Sequence, residues 1–261
     1  MIQSVSTAED KTEFLRRIAH KPYFESALGT HLHLFGSHPA SGWAFYLLPG
    51  SAVLELRGGS AVLCGALPGG EAGEDAREEL TGLSPLSARR HPANRAPADP
   101  ARLAACRAAD AVGAAKGPCP AAAPAPPAEL VPDKAPSMLP VSRLVFAESD
   151  AEADEFYSAA CTALAHGVGT CRALLHNGRP VCTVGCYEQS DTESYMAAGV
   201  TDPAWQGRGL ARYLIVGLAN ELTAERAVRF ACFPALCGFY AQLGFLQIGK
   251  IQHYTTDWNT T

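Results

Sequence analysis

A glutamine and two glycines in the second half of the chain form the stretch best suited to chemistry. Gln206, Gly207 and Gly209 follow a short apolar run and the strand-stopping pair Asp202-Pro203. From Leu210 onward the apolar residues recur at helical spacing, which predicts a helix. A glycine has no Cβ, so its backbone N–H can face a closely approaching ligand. Amides at a helix N-terminus, with the positive end of the dipole behind them, suit a pyrophosphate.

The alternative interpretation is a strand–glycine–helix turn that binds nothing, because glycines often precede helices. Two other nucleotide signatures are absent from the chain: Gly-Lys-Ser/Thr for a triphosphate, and Gly-x-Gly-x-x-Gly with a distant acid for a dinucleotide. What remains is Gln206-x-x-Gly209-x-Ala211. This pattern resembles the pyrophosphate-binding signature of the GNAT superfamily, the acetyl-CoA-dependent N-acyltransferases.

A second match to the same family lies downstream. Residues 239–245 read Phe-Tyr-Ala-Gln-Leu-Gly-Phe and resemble the helix that closes the family fold. The resemblance covers residues 142–254. It implies an α/β (α+β) fold with a mixed, mostly antiparallel sheet flanked by helices.

Composition divides the chain into three parts. Residues 1–116 are predicted to form a smaller α/β unit, with helices over 8–35 and a three-stranded meander over 42–67, and we interpret it as a degenerate copy of the same fold. Residues 117–140 are dominated by Pro and Ala and predict an extended linker. Residues 141–261 form the acetyltransferase-like domain. Within these parts, the sequence favours an Ala-rich helix over 101–115 and a strand over 142–146.

The resemblance implies acetyl-CoA as co-substrate and assigns its binding to one strand end and one turn. The backbone of the strand end would pair with the pantetheine arm, and a main-chain N–H there would stabilise the oxyanion. The amides of the turn would hold the pyrophosphate. The residues assigned to cofactor binding are Ala198, Gly199, Val200, Thr201, Gln206, Gly207, Arg208, Gly209, Leu210 and Ala211.

The resemblance also implies how protons would move. Tyr240 occupies the position of the family's tyrosine general acid, which protonates the departing thiolate; the alternative is a buried aromatic that packs on the sheet. Glu193 and Glu188 bracket the turn into the cofactor strand and are the candidates for a general base, with Asp191 behind them. Solvated turn residues are the alternative for all three.

Two positions depart from the family pattern. Phe233 lies seven residues before Tyr240, where the family often has an asparagine that grips the pantetheine arm. Leu236 replaces a usual small alanine. Arg208 could contact phosphate directly or be a solvated turn residue.

Composition excludes several classes of function. A net charge of −5 and a pI near 5.9 argue against nucleic-acid and polybasic membrane partners. The polar start and the lack of a long apolar run predict a cytoplasmic protein. Nine scattered cysteines without Cys-x-x-Cys favour reduced thiols over zinc, and we expect no metal. His31 and His33 are interpreted as surface or hydrogen-bonded histidines.

Two functions follow from these observations. The first is an N-acetyltransferase that moves acetyl from acetyl-CoA directly to an amine of a small molecule or peptide, as a monomer or homo-oligomer. The second is a non-catalytic acyl-CoA-binding or regulatory module. Fold alone does not choose between them.

Overall fold

The computed structural model describes residues 2–36, 41–57, 60–67, 69–70, 74–75, 106–115, 119 and 125–254. Contacts group these residues into two compact units, one containing those up to Arg107 and from His253, the other Ala108–Gln252. The α/β fold class, with a smaller unit before a larger mixed sheet, is confirmed.

The first unit contains a four-stranded antiparallel sheet and two helices. The strands, in the order β1-β2-β3-β4, are Gln3–Ser4, Trp43–Leu47, Val53–Arg57 and Ser60–Cys64. The helices are α1, Ala8–Ile18, and α2, Phe24–Phe35. Helix α1 begins with a capping box, in which the hydroxyl of Thr7 accepts a hydrogen bond from the Asp10 amide and the Asp10 carboxylate accepts one from the Thr7 amide. Phe14 and Ile18 then face the core.

A hydrogen-bonded histidine–carboxylate pair inside the first unit joins helix to sheet. Nδ1 of His31, on α2, lies 2.9 Å from Oε2 of Glu55, on β3, and Glu55 is only 3% exposed. The His31 ring also packs on Trp43, with centroids 4.3 Å apart. The interpretation of His31 as a hydrogen-bonded histidine is confirmed. Within the described part of the chain, no group of His, Cys, Asp and Glu could hold a metal ion.

The second unit is built on a seven-stranded sheet in the order β11-β5-β10-β9-β8-β7-β6. Strands β9 and β10 are parallel, whereas β6 to β9 pair antiparallel with one another and β5 pairs antiparallel with β10. The strands are β5 Cys106–Ala115, β6 Val131–Asp133, β7 Thr170–His176, β8 Arg179–Gln189, β9 Glu193–Thr201, β10 Ala227–Cys232 and β11 Leu246–Tyr254. The helices are α3 Met138–Val145, α4 Asp150–Ala165, α5 Leu210–Leu222 and α6 Cys237–Gln242.

Local signals in the second unit act as the sequence predicts. Asn177 and Gly178 both have positive φ, 50° and 77°, as a type I′ hairpin turn requires, and they join β7 to β8. The Ser149 hydroxyl accepts a hydrogen bond from the amide of Glu152 and caps α4. The apolar face of α5, which includes Leu214, Ile215 and Leu218, is buried against the sheet.

Three sequence predictions for the middle of the chain are wrong. Residues 142–146 belong mostly to helix α3 rather than a strand, and residues 106–115 form strand β5 rather than a helix. The proposed linker, 117–140, contains strand β6 and the start of α3, so the second unit begins before residue 141. The first part of the predicted helix, 101–105, lies outside the described residues. No helix in the described ranges is long and apolar enough to cross a membrane.

Candidate active site

The site begins where two parallel strands separate. β9 and β10 pair only through their first residues, from Ala227 opposite Glu193 to Arg229 opposite Tyr195. Beyond that point β9 continues to Thr201, paired to β8 alone, while β10 continues to Cys232, paired to β5. The sheet therefore splays open between them and leaves one edge of β9 unpaired, which a ligand amide can use.

A cavity of about 190 Å³ lies between the separated ends of β9 and β10. It is bounded by the free ends of both strands, by helix α5 and by the turn and helix after β10. The lining residues are Val184, Met196, Ala197, Ala198, Gly199, Ile215, Phe230, Ala231, Cys232, Phe233, Leu236 and Tyr240.

A β-bulge shapes the cavity side of β9. The register passes from Gly185 opposite Ala197 to Thr183 opposite Val200, so two residues of β9 face one residue of β8. The extra residue is Ala198, which has a φ of 55°, an unusual value for a side chain other than glycine. A strained backbone conformation of this kind persists where the surrounding structure stabilises it. The bulge also changes the direction in which the backbone N–H and C=O groups of Ala198 and Gly199 point.

The turn after β9 exposes a run of main-chain amides. The Asp202 side chain accepts a hydrogen bond from the Ala204 amide, and α5 begins with the Tyr213 amide donating to the Gly209 carbonyl. Gly207 and Gly209, with φ of 75° and 76°, adopt the left-handed conformation that lets the chain turn here. Among the described residues, none accepts a hydrogen bond from the amides of residues 207–212.

Gln206 has a different role from the one predicted. Its backbone amide points to the Pro203 carbonyl, 3.4 Å away, so this N–H is already engaged within the turn. Its side-chain amide donates to the Thr201 carbonyl over 3.1 Å. Gln206 therefore fixes the end of β9 to the turn, and the run of amides without an acceptor among the described residues starts one residue later, at Gly207.

Two arginines lie within this run. The guanidinium of Arg208 lies over the Trp205 ring, 4.6 Å from its centroid, and 3.6 Å from Glu129. Arg212, in the first turn of α5, has no partner among the described residues, and its Nε is buried. A cation at a helix N-terminus opposes the helix dipole, which favours an anion bound beside it. Arg212 was not among the residues assigned from the sequence, although it directly follows Ala211, the last residue of the Gln206-x-x-Gly209-x-Ala211 pattern.

Tyr240 lies on the cavity wall, with its ring fixed by neighbours. Its centroid is 4.1 Å from that of Phe230, and Phe245 packs edge-on to it. The hydroxyl lies 4.0 Å from where a Cβ on Gly199 would stand, so helix α6 and strand β9 meet at this point. Burial, with a smaller effect from the Cys232 thiol, raises the pKa of the Tyr240 phenol to about 12.

The two predicted bases do not line this cavity. The Glu193 carboxylate is buried and pairs with Arg229, 2.8 Å from its Nε, at the closed end of the splay. Glu188 lies opposite Tyr195, also toward the closed end. The structure therefore does not place Glu193 at this cavity: its carboxylate joins β9 to β10.

Comparison with known families agrees with this geometry. Residues 137–245 match the family model described as "Acetyltransferase (GNAT) family". This segment is a GNAT domain. Comparison with curated proteins gives no match.

Two solved structures extend the GNAT likeness to nearly the whole chain. A tandem GNAT protein from the clavulanic acid biosynthesis pathway aligns with a TM-score of 0.64 over 97% of both chains, at 15% identity. A Drosophila protein aligns with a TM-score of 0.67 over 99% of both chains, at 12% identity. Identities this low show the fold alone. The chain thus has the fold of a tandem GNAT protein, as its two sheets indicate.

The departures from the GNAT signature have a structural consequence. Phe233 and Leu236 line the cavity, yet they are 67% and 42% exposed. The mouth of the site is therefore apolar at the position where the family often has an asparagine.

Proposed function

We propose that the second unit moves an acetyl group from acetyl-CoA directly to an amine of a small molecule or a peptide. The observation that carries this proposal is the exposed run of unbonded amides at residues 207–211, at the open end of a splayed sheet. Main-chain N–H groups backed by a helix dipole suit a diphosphate. Arg212 would add a positive charge to the same site.

The rest of the donor would follow the unpaired edge of β9. The pantetheine amides would pair with the backbone of residues 199–201, and the thioester would then lie beside Gly199 and the Tyr240 hydroxyl. Bound acetyl-CoA supplies an acetyl group activated as a thioester. The re-aimed backbone near Ala198 would donate a hydrogen bond to the carbonyl oxygen as negative charge develops on it.

Transfer would need one bond made and one broken. The amine nitrogen attacks the thioester carbonyl carbon, the C–S bond breaks, and the sulfur leaves with the electron pair. Tyr240 would donate its proton to that sulfur, since a phenol of high pKa remains protonated until a basic thiolate forms beside it. No carboxylate lines the described cavity, so the proton lost by the amine would pass to water.

The direct test is CoA release by purified protein incubated with acetyl-CoA and a panel of amines. Tyr240→Phe should lower kcat by about 100-fold, the lower range for loss of a general acid, without changing acetyl-CoA affinity. Tyr157→Phe is the matched control, because Tyr157 is an exposed residue of α4, and it should keep the wild-type kcat. Because the Tyr240 pKa is near 12, its ionisation should not lower kcat between about pH 7 and about pH 10.

The exposed Phe233 favours a second candidate, a non-catalytic acyl-CoA-binding module, because it replaces a residue that often grips the donor. The same assay separates the two functions. Tight acetyl-CoA binding without CoA release on any amine, unchanged in Tyr240→Phe, would establish the module and remove the transferase.

A further inference from the structure

A second cavity lies beside the first and has no part in the chemistry proposed above. Its volume is about 150 Å³, and it is enclosed by helix α6 and strands β5, β10 and β11. Phe230, Cys232 and Tyr240 line both cavities and form a common wall. The candidate acid therefore has one cavity on either side.

The second cavity is apolar. Apart from the common wall, its lining includes Cys237, Ala241, Phe245 and Leu246, and none of its described lining residues is charged. The Gln247 side chain, which also lines it, donates its amide to the Gly249 carbonyl over 3.4 Å. Apolar cavities with few polar groups accept hydrocarbon more readily than water.

The apolar surface continues to the rim of both cavities. Leu246, at the second cavity, is 69% exposed, and Phe233, at the first, is 67% exposed. Burial of large apolar side chains that are exposed beside a cavity is favourable, so an apolar ligand group that packs on them gains binding energy.

We propose that the second cavity holds the apolar tail of an acyl group longer than acetyl, so that the preferred donor is an acyl-CoA of about four to six carbons. This inference rests on the proposed function. A volume of 150 Å³ accommodates about five groups of roughly 30 Å³ each. With the carbonyl beside Gly199 and the Tyr240 hydroxyl, the tail would have to pass the common wall of Phe230, Cys232 and Tyr240 to reach the second cavity.

Calorimetric titration with CoA, acetyl-CoA, butyryl-CoA and hexanoyl-CoA tests the assignment. Each buried methylene should tighten binding by about fourfold, so hexanoyl-CoA should bind more than about tenfold tighter than acetyl-CoA. Ala241→Leu fills the cavity and should remove this increase in affinity with acyl-chain length. Ala235→Leu, at an exposed position that lines neither cavity, is the matched control and should keep it.

A second variant covers the case in which Ala241→Leu does not fold. Leu246→Ser changes an exposed residue, should fold, and should reduce the gain from longer chains. Equal or weaker binding of hexanoyl-CoA relative to acetyl-CoA overturns the inference while leaving acetyl transfer intact. A change in amine KM alone in Ala241→Leu also overturns it, since the cavity would then serve the acceptor. Failure of CoA itself to bind removes the proposed function instead.

Discussion

Gly209 lies within the run of unbonded amides, so a charge placed there tests the candidate pyrophosphate site directly. Its φ of 76° is left-handed, a conformation that Asn and Asp tolerate better than other side chains. We predict that Gly209→Asp weakens acetyl-CoA binding by more than about 100-fold, because its carboxylate would repel the phosphates. Gly209→Asn introduces a side chain of nearly the same shape without the charge, and it should lose much less affinity for acetyl-CoA. Calorimetry measures the affinity, and circular dichroism checks the fold; equal affinities for the two variants would falsify the placement of the pyrophosphate.

Arg212 gives an independent residue-scale prediction. Arg212→Gln should weaken acetyl-CoA binding about tenfold, the value of a charge-assisted hydrogen bond, and should make binding less sensitive to salt. Arg226→Gln is the control, since Arg226 follows the opposite end of α5 and donates to the Ser190 carbonyl. An Arg212 variant that binds acetyl-CoA as tightly as wild type at every salt concentration would remove this residue from the site.

The site residues that sequence could predict are those whose role depends on spacing along the chain. The turn at residues 206–211 and Tyr240 both belong to continuous motifs with a fixed relation to a strand and a helix. The choice of Glu193 as candidate base rested on nearness in sequence, which does not show what its carboxylate contacts. Its partner, Arg229, lies 36 residues away and becomes a neighbour only when β9 and β10 pair.

At the scale of elements, the pair of Glu193 and Arg229 sets where the splay begins. Both side chains are nearly buried, with 7% and 11% exposure. We predict that Arg229→Met destabilises the protein by about 3 kcal/mol, because it leaves the Glu193 carboxylate buried without its cation. Combining it with Glu193→Gln should recover part of that loss. Urea denaturation measures the stability.

Substitution of Glu193 also tests whether this residue has a structural or a catalytic role. Glu193→Gln should lower stability yet leave kcat per folded molecule unchanged, as measured by CoA release. A fall in kcat with stability retained would instead establish Glu193 as a base.

The wrong element predictions have specific physical causes. The apolar run at residues 138–145 contains β-branched residues, but its buried positions, Met138, Val141 and Ser142, have helical spacing. Strand β5 is rich in alanine, and its pairing with β10 overrides that helix propensity. Strand β6 tolerates Pro132 because it lies at the edge of the sheet, where a missing N–H costs little. None of these long-range pairings can be read from a local window.

At the scale of the molecule, the two units have separate cores, and the first has its own buried carboxylate, Glu55, hydrogen-bonded to His31. We predict that Glu55→Ala destabilises the first unit by about 3 kcal/mol, because it removes the carboxylate that His31 contacts inside the fold. Acetyl-CoA affinity should stay unchanged at 25 °C, because the candidate site lies in the second unit. Urea denaturation followed by Trp43 fluorescence, in a background where Trp205 and Trp258 are both replaced by Phe, measures the first effect. Parallel loss of affinity in Glu55→Ala would show that the two cores are energetically linked.

Strand β5 has a consequence for how the protein is made. It leaves the ribosome before the strands on either side of it in the sheet, β10 and β11, have been synthesised. From Ala115 to Ala227 the ribosome must add 112 residues (227 − 115), which takes roughly 5–20 s at bacterial or eukaryotic rates. During that interval a nascent strand has open hydrogen-bonding edges, the kind of segment that chaperones bind. The speed of translation between the codons for Ala115 and Ala227 should therefore affect the yield of soluble protein.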